Sequence, residues 1–385
     1  MRTQTDRHYF DHAATTPMRQ VAVDAWVEHA GVLNPGGTYA SGRRAQSVLA
    51  EAREMIAEAL GCEPIEVVFT GSGTEADNLA VRGFVEAAAQ RGETQRIVTT
   101  PIEHPAVKET VAALEKQLPQ AQVDYIPVAH TGHVKDLSLL DSPASVASVM
   151  WANNETGAIQ PVAEVAKKCQ ETGTPFHVDA VQVVGHLPVD FASLGATTLA
   201  ASAHKFGGPR GVGILLAKRS PVPTPIITGG GQQRGIRPGT PDAAGAIATA
   251  VALKGAVAEM EAERERLTQL TARLRTGLEK NVDKLVVHTC EPNLPGHLFV
   301  SFPGAEVDSL IMLFDSLGIE VAAGSACSSG VNRASHVLEV MGVDEHVSRG
   351  AIRFTLGRTT TDEDVDVVLA HAEDVVSRAR LAGMA

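Results

Sequence analysis

From about Glu66 to Ala217, short β-rich runs alternate with helix-like stretches, the pattern of strands joined by crossover helices. The runs Glu66–Thr70, Arg96–Thr100, Gln122–Val128, Val146–Trp151, Phe176–Asp179, Thr197–Ala201 and Gly213–Ala217 read as strands. Pro105–Leu118 and Pro161–Glu171 each begin with proline and continue in Ala, Val, Leu, Glu and Lys, which suits the first turn and body of a helix. Alternation of this kind predicts an α/β fold with a mainly parallel sheet.

A Gly/Pro-rich stretch, Pro221–Pro241, breaks the pattern before a long Ala/Glu/Arg segment from Asp242 to about Lys280. Beyond it, strands are expected at Leu285–Thr289, His297–Phe302 and Ala351–Thr355, and helices at Glu306–Leu317 and Asp362–Ala382. The domain boundary is placed near the middle of the long helix. A large domain is expected over residues 16–258, and a smaller α/β C-terminal domain from 1–15 together with 259–385.

The length of 385 residues suits two or three lobes with a sizeable core. A formal charge of −12 with no Lys/Arg-rich run disfavours a nucleic-acid partner. Met1–Phe10 lacks the apolar core of a signal peptide, and Lys254 and Gly255 interrupt the Ala-rich run Ala243–Ala258. A cytoplasmic protein with no membrane span is therefore expected. Cys62, Cys169, Cys290 and Cys327 are scattered, without metal-ligand spacing or a disulfide pattern.

Several polar strings fall where apolar runs end. Ser202-Ala203-His204-Lys205-Phe206-Gly207-Gly208 follows a strand, so Lys205 would sit at its carboxyl end, where α/β sheets bind ligands and where a lysine can form a Schiff base. A solvated turn lysine is the plain alternative. Upstream, Phe176-His177-Val178-Asp179 ends another strand in an acid, as a pyridinium nitrogen requires, with Gln182 three residues on. Asp179 would equally serve as a helix N-cap. Gly71-Ser72-Gly73-Thr74-Glu75 joins a strand to a helix-like run, where backbone N–H groups cradle a phosphate or merely cap a turn.

His104, in Ile102-Glu103-His104-Pro105, suits a ring-stacking or proton-shuttling imidazole, or a capping one. Asn153-Asn154-Glu155-Thr156-Gly157 offers amides to a carboxylate or a cofactor oxygen, and equally makes a turn. Arg353 stands inside the apolar run Ala351–Thr355, where a guanidinium calls for an anion, either a bound carboxylate or a structural partner. Gly324-Ser325-Ala326-Cys327-Ser328-Ser329-Gly330 sets a thiol among small polar residues, which argues for an accessible nucleophile over a packed core cysteine.

Taken together, SAHKFGGPRG, HVDAVQ, IEHPAV, NNETG, RPGT, GSACSSG and IRFTLGR resemble, in order, the strings of the cysteine desulfurases. These belong to the class V aminotransferase group of fold-type-I enzymes dependent on pyridoxal 5'-phosphate, and the match is to the longer-loop, NifS/IscS-like subgroup. It runs from Asp11-His12-Ala13-Ala14-Thr15-Thr16-Pro17 to Gly357-Arg358-Thr359-Thr360.

The resemblance implies that Lys205 carries the cofactor, Asp179 pairs with the pyridinium, Gln182 reaches the phenolic oxygen and His104 stacks on the ring. It implies that Gly73, Thr74, Ser202 and His204 hold the phosphate, with Thr240 reaching it from the neighbouring subunit of a homodimer. Asn154 and Arg353 hold the carboxylate of L-cysteine, and Cys327 receives the sulfur as a persulfide for an iron–sulfur scaffold or another sulfur acceptor. No metal site is implied beyond a transient iron–sulfur contact at Cys327. Two stretches depart from the family: Asn34-Pro35-Gly36-Gly37-Thr38-Tyr39 where NPSS-x-H is usual, and Val331-Asn332-Arg333-Ala334 where SLEP is common. A selenocysteine lyase and a plain class V aminotransferase are the rival activities, and a non-catalytic assembly protein is the rival of another kind. The presence of Lys205, Asp179 and Cys327 speaks against the last.

Overall fold

The computed structural model describes residues 7–324 and 335–382. Seven strands form the central sheet in the order Val67–Thr70, Gly213–Ala217, Thr198–Ser202, Phe176–Asp179, Val146–Met150, Arg96–Thr99, Gln122–Tyr125. The five from Thr198–Ser202 to Gln122–Tyr125 pair in parallel, and Gly213–Ala217 runs antiparallel to both its neighbours. Val67–Thr70 therefore points the same way as the parallel five. Six strands end on one edge of the sheet, and that edge is where α/β proteins hold ligands.

The sequence pattern has a direct cause. Parallel strands need crossover helices, here Gly73–Arg91, Pro105–Gln117 and Val162–Thr172, and those helices cover both faces. Val146–Met150, Phe176–Asp179, Thr198–Ser202 and Gly213–Ala217 are buried at every position, so each reads as an unbroken apolar run or close to one. The expected strand Gln122–Val128 stops at Tyr125, and Leu285–Thr289 contracts to Val286–Val287. Helices Gln20–His29 and Ala40–Leu60 stand where no element was expected.

Helix Ala243–Asn281 links two apolar cores. Ala246, Ile247, Ala250 and Leu253 pack beneath the large sheet, whereas Leu267, Leu270, Leu274 and Leu278 pack into a second core. That second core is closed by a three-stranded antiparallel sheet of Ala351–Thr355, His297–Ser301 and Val286–Val287 and by helices Val307–Ser316 and Asp362–Ala382. Burial of the apolar first half of the long helix accounts for its composition.

The N-terminal segment also belongs to the second core. His8–Tyr9 pairs in parallel with Ile319–Glu320, and Phe10, fully buried, meets Phe354 edge-on. Burying one phenylalanine contributes about 1.5–3 kcal/mol. The residues that follow, Asp11–Thr16, are thereby laid across the ligand edge of the large sheet. At the sheet's other side, Gln233 satisfies both backbone groups of Phe69 on the edge strand, at 2.7 Å each.

Candidate active site

A cavity of about 210 Å³ opens at the shared strand edge, and its wall includes Gly73, Thr74, His104, Asn154, Asp179, Gln182, Ser202, His204 and Lys205. They come from the ends of five strands or the turns that follow them. A larger groove of about 710 Å³ runs beside Arg264, Thr268 and His297 and contains none of these residues, so size alone would have misplaced the site.

Lys205 closes a short 3-10 turn, Ala203–Lys205, directly after strand Thr198–Ser202. Its Nζ donates to the carbonyl oxygens of Ala13 and, at 2.8 Å, Ala14. Burial pushes this amine down to about 8, helped by the Arg353 charge and opposed by Asp11 and Asp179. Gln182 Nε2 donates to the same Ala13 oxygen at 3.0 Å, and His204 Nδ1 lies 3.1 Å from Thr15 Oγ1. The N-terminal segment thus forms one wall of the site.

Asp179 ends strand Phe176–Asp179, and its Oδ1 accepts from Val181 N–H at 3.0 Å. Burial raises its pKa, against the pull of His104, the Val181 N–H and Lys205. Behind it, buried Asp77 accepts from His177 Nε2 at 3.1 Å, while His177 Nδ1 meets Thr198 Oγ1. Burial holds that imidazole neutral, its pKa lowered to about 3.

His104 caps helix Pro105–Gln117, as the capping alternative expects, and its side chain also lines the cavity. Its Nδ1 accepts from Ala106 N–H at 3.1 Å, which leaves the proton of the neutral ring on Nε2. Burial lowers its pKa, with Asp179 opposing. The adjacent Glu103, without an assigned role in the sequence, is fully buried. Its Oε1 accepts from Thr100 Oγ1 at 2.6 Å and Met150 N–H at 2.9 Å, and burial pushes it up to about 8.

Gly73 and Thr74 are the first residues of helix Gly73–Arg91, where backbone N–H groups lack partners inside the helix and the dipole favours an anion. A Cβ at Gly73 would lie 2.8 Å from Val181 Cγ2, so only glycine lets this turn approach the Asp179–Gln182 segment. Glu75 fixes the turn by accepting from Gly71 N–H at 2.6 Å and from Arg237 Nε at 2.7 Å. Arg237 in turn holds the RPGT string in place; Thr240 itself is exposed and does not line its own chain's cavity.

Arg353 is buried within its strand. Its Nη2 pairs with Asp11 Oδ1 at 2.6 Å, Nη1 donates to Asn154 O at 2.8 Å, and Nε has no partner. The structural ion pair and the proximity to Asn154 coexist. Cys327 lies outside the described residues, as do Val331–Ala334.

These residues fit pyridoxal phosphate by the chemistry they offer. A helix start with Thr74, Ser202 and His204 suits the phosphate, a buried carboxyl at Asp179 suits a pyridinium N–H, and the amine of Lys205 lies on the same wall. A family model described as aminotransferase class-V matches residues 8–368. The chain belongs to the class V aminotransferase family, a group of pyridoxal-phosphate enzymes of fold type I. An IscS-like cysteine desulfurase of Mycobacterium tuberculosis is 43% identical over 98% of both chains, and the cysteine desulfurase IscS of Dictyoglomus turgidum is 39% identical over 97% of this chain and 95% of its own. A solved NifS-like protein superposes with a TM-score of 0.89 at 35% identity, covering 97% of this chain and all of its own. Within the class V family, the chain is a member of the cysteine desulfurases.

Lowering of the Lys205 amine sets a pH dependence for cofactor uptake. The neutral amine is the nucleophile, and its fraction rises as pH increases through the lowered pKa. The rate at which cofactor-stripped protein takes up pyridoxal phosphate should climb about tenfold from pH 7 to pH 9, with a midpoint near the value of about 8. A flat absorbance-monitored profile would count against a neutralised Lys205.

Proposed function

We propose that this chain removes sulfur from L-cysteine, releasing L-alanine and leaving the sulfur as a persulfide on Cys327. One observation carries this: a buried cavity assembles Lys205, Asp179, Gln182, His104 and a helix N-terminus, in a chain whose full-length relatives are named cysteine desulfurases. A solved neighbour with a TM-score of 0.78 is described as SspA in complex with cysteine, which supports the same substrate class.

Pyridoxal phosphate, when bound, supplies an electron sink for charge that develops at the substrate Cα. Gly73, Thr74, Ser202 and His204 would hold its phosphate, Asp179 would keep its ring nitrogen protonated, and Gln182 and His104 would bind its phenolic oxygen and ring. Arg353 and Asn154 orient the cysteine carboxylate, and Lys205 Nζ takes the Cα proton. Cys327 thiolate then attacks the substrate sulfur. A sulfur–sulfur bond forms as the Cβ–sulfur bond breaks, its electron pair stays with carbon, and protonation yields alanine.

The test is to mix the purified protein with cysteine and a reductant. Alanine and sulfide should appear in equal amounts, and a persulfide trapped without reductant should map to Cys327. Absence of alanine would overturn the reading.

Thr240 is exposed and off its own cavity, as are apolar side chains at Trp26, Val27, Leu33 and Tyr39 on and after the first helix. Both features support a homodimer in which Thr240 of the partner subunit reaches the phosphate. Sedimentation should give two chains per active particle, and Thr240→Ala should weaken cofactor retention. An iron–sulfur scaffold or other sulfur-acceptor protein in the cytoplasm completes the proposed assignment.

Arg353→Ala should lower kcat/KM for cysteine by about 2–5 kcal/mol in transition-state terms, the cost of removing one partner of a buried charge pair. Asp11→Asn separates the two roles of the arginine. If Arg353 serves only its ion pair with Asp11, that variant should be equally damaged; if it binds the substrate carboxylate, kcat/KM should be largely kept.

A further inference from the structure

Residues 324 and 335 flank the stretch that contains Cys327, and both meet one side chain. Glu155, buried at 1% exposure, accepts a hydrogen bond at Oε2 from Ser335 Oγ. The same Oε2 lies against Gly324, where a Cβ would come within 2.8 Å of it and within 3.1 Å of Phe299 Cζ. Gly324 has φ of +94°, so glycine is required there for conformation as well as for space. Ser335 Oγ also accepts from Leu338 N–H at 3.2 Å and so caps helix His336–Val340.

Glu155 is itself held rigidly. Asn153 Oδ1 accepts from the N–H groups of Glu155 and Thr156, at 2.9 Å each, and Asn153 Nδ2 donates to Ile102 O at 3.1 Å. The next residue, Asn154, faces the cavity and gives its carbonyl to Arg353. Of three consecutive residues, Asn153 holds the turn before His104, Asn154 meets Arg353, and Glu155 alone meets the two residues that flank the Cys327 stretch. Among the described residues no cation is bonded to this buried side chain, and a buried carboxyl without one is costly to keep for stability alone. Consistent with this, burial raises its pKa, while the Ser335 hydroxyl and the Arg353 charge oppose the rise.

We propose that Glu155 is a positioning residue for sulfur transfer, acting through Gly324 and Ser335, the two described residues that flank Cys327 in sequence. The inference rests on Cys327 being the sulfur acceptor. Steps that precede thiolate attack depend on Lys205, Asp179 and Arg353 and do not use this anchor. Loss of the anchor should therefore split the reaction.

The experiment compares Glu155→Ala, Glu155→Gln and Ser335→Ala in the cofactor-loaded enzyme. In Glu155→Ala and Ser335→Ala, persulfide formation at Cys327 in a single turnover should slow on the order of tenfold or more, since misplacement by about 1 Å can cost that much. The rate of the cofactor's spectral response to cysteine should stay within about twofold of wild type. Glu155→Gln keeps an oxygen that accepts from Ser335 and should recover most of the transfer rate. Alkylation of Cys327 by iodoacetamide, which needs no cofactor, should accelerate several-fold in both alanine variants.

Should Glu155→Ala fail to fold, Ser335→Ala and Glu155→Gln still decide the matter. Parallel loss of both stages, or no change in either, would overturn the anchor. Cys327→Ser run beside them tests the underlying reading separately. Continued sulfide release by that variant would remove Cys327 as acceptor whatever Glu155 does.

Discussion

Lys205→Ala should form no measurable alanine from cysteine, and borohydride, expected to fix the cofactor to the wild-type protein, should not fix it to this variant. Among the described residues that line the cavity, Lys205 is the only lysine. Its amine is buried, lowered to about 8, and held by the carbonyls of Ala13 and Ala14. It would serve both as the covalent attachment point and as the base for the Cα proton. A positioned base alone contributes about 10²- to 10⁴-fold, and loss of attachment compounds that. Neighbouring imidazoles do not replace it, because the His104 ring already spends Nδ1 on the Ala106 N–H. Alanine formation within about tenfold of wild type would remove Lys205 from the chemistry.

Cys327→Ser should nearly stop sulfide and alanine production while leaving the cofactor bound and its absorbance responsive to cysteine. The two stages separate because a hydroxyl is a far weaker nucleophile than a thiolate near neutral pH, whereas cofactor binding and proton removal use Lys205 and Asp179. A trapped persulfide should map to Cys327 rather than to Cys62, Cys169 or Cys290. Burial pushes the thiols of Cys62 and Cys169 up to about 12, so neither offers a useful thiolate at neutral pH. Full sulfide release by the serine variant would favour direct lysis of the carbon–sulfur bond without a protein thiol.

Much of the large sheet was legible because burial on both faces leaves its strands apolar. Phe176–Asp179 and Gly213–Ala217 match the observed strands residue for residue, and so does Ala351–Thr355 in the smaller sheet. Strand ends were the weak points. At Gln122–Tyr125 the strand lies on the sheet edge and is half-exposed, and Ile126 just beyond it still donates to Thr99 O at 2.8 Å and packs into the large core, so the apolar run outlasts the regular strand. Helices Gln20–His29 and Ala40–Leu60 went unseen because the reading began at Glu66, although Ala45, Val48, Leu49, Ala52, Ile56 and Leu60 of the second form a buried stripe at helical spacing.

The candidate site shows the same division. Motifs at strand ends were readable because a lysine, a carboxyl and a glycine-rich turn each stand out against the apolar run that precedes them. Partners that approach from far along the chain leave no such mark. Asp11 beside Arg353, the Ala13 and Ala14 carbonyls on Lys205, and Ser335 on Glu155 are joined across separations of 342, 192 and 180 residues. Asp11, Glu155 and Arg353 stood within strings already singled out, and what was hidden was the pairing of Asp11 with Arg353 and of Glu155 with Ser335.

The sequence by itself determined the α/β class, the strand-end motifs and the family, because each rests on local pattern or on the order of short strings. Tertiary structure decided which groups touch: that one arginine serves an ion pair beside the site, that His104 is both cap and cavity wall, that Thr240 stays off its own cavity, and that one buried carboxyl accepts from Ser335 and lies beside Gly324. The reason is physical. Composition and periodicity report what each residue does to its own segment, whereas a contact between distant segments depends on how two cores and the N-terminal segment pack together, and no local pattern encodes that.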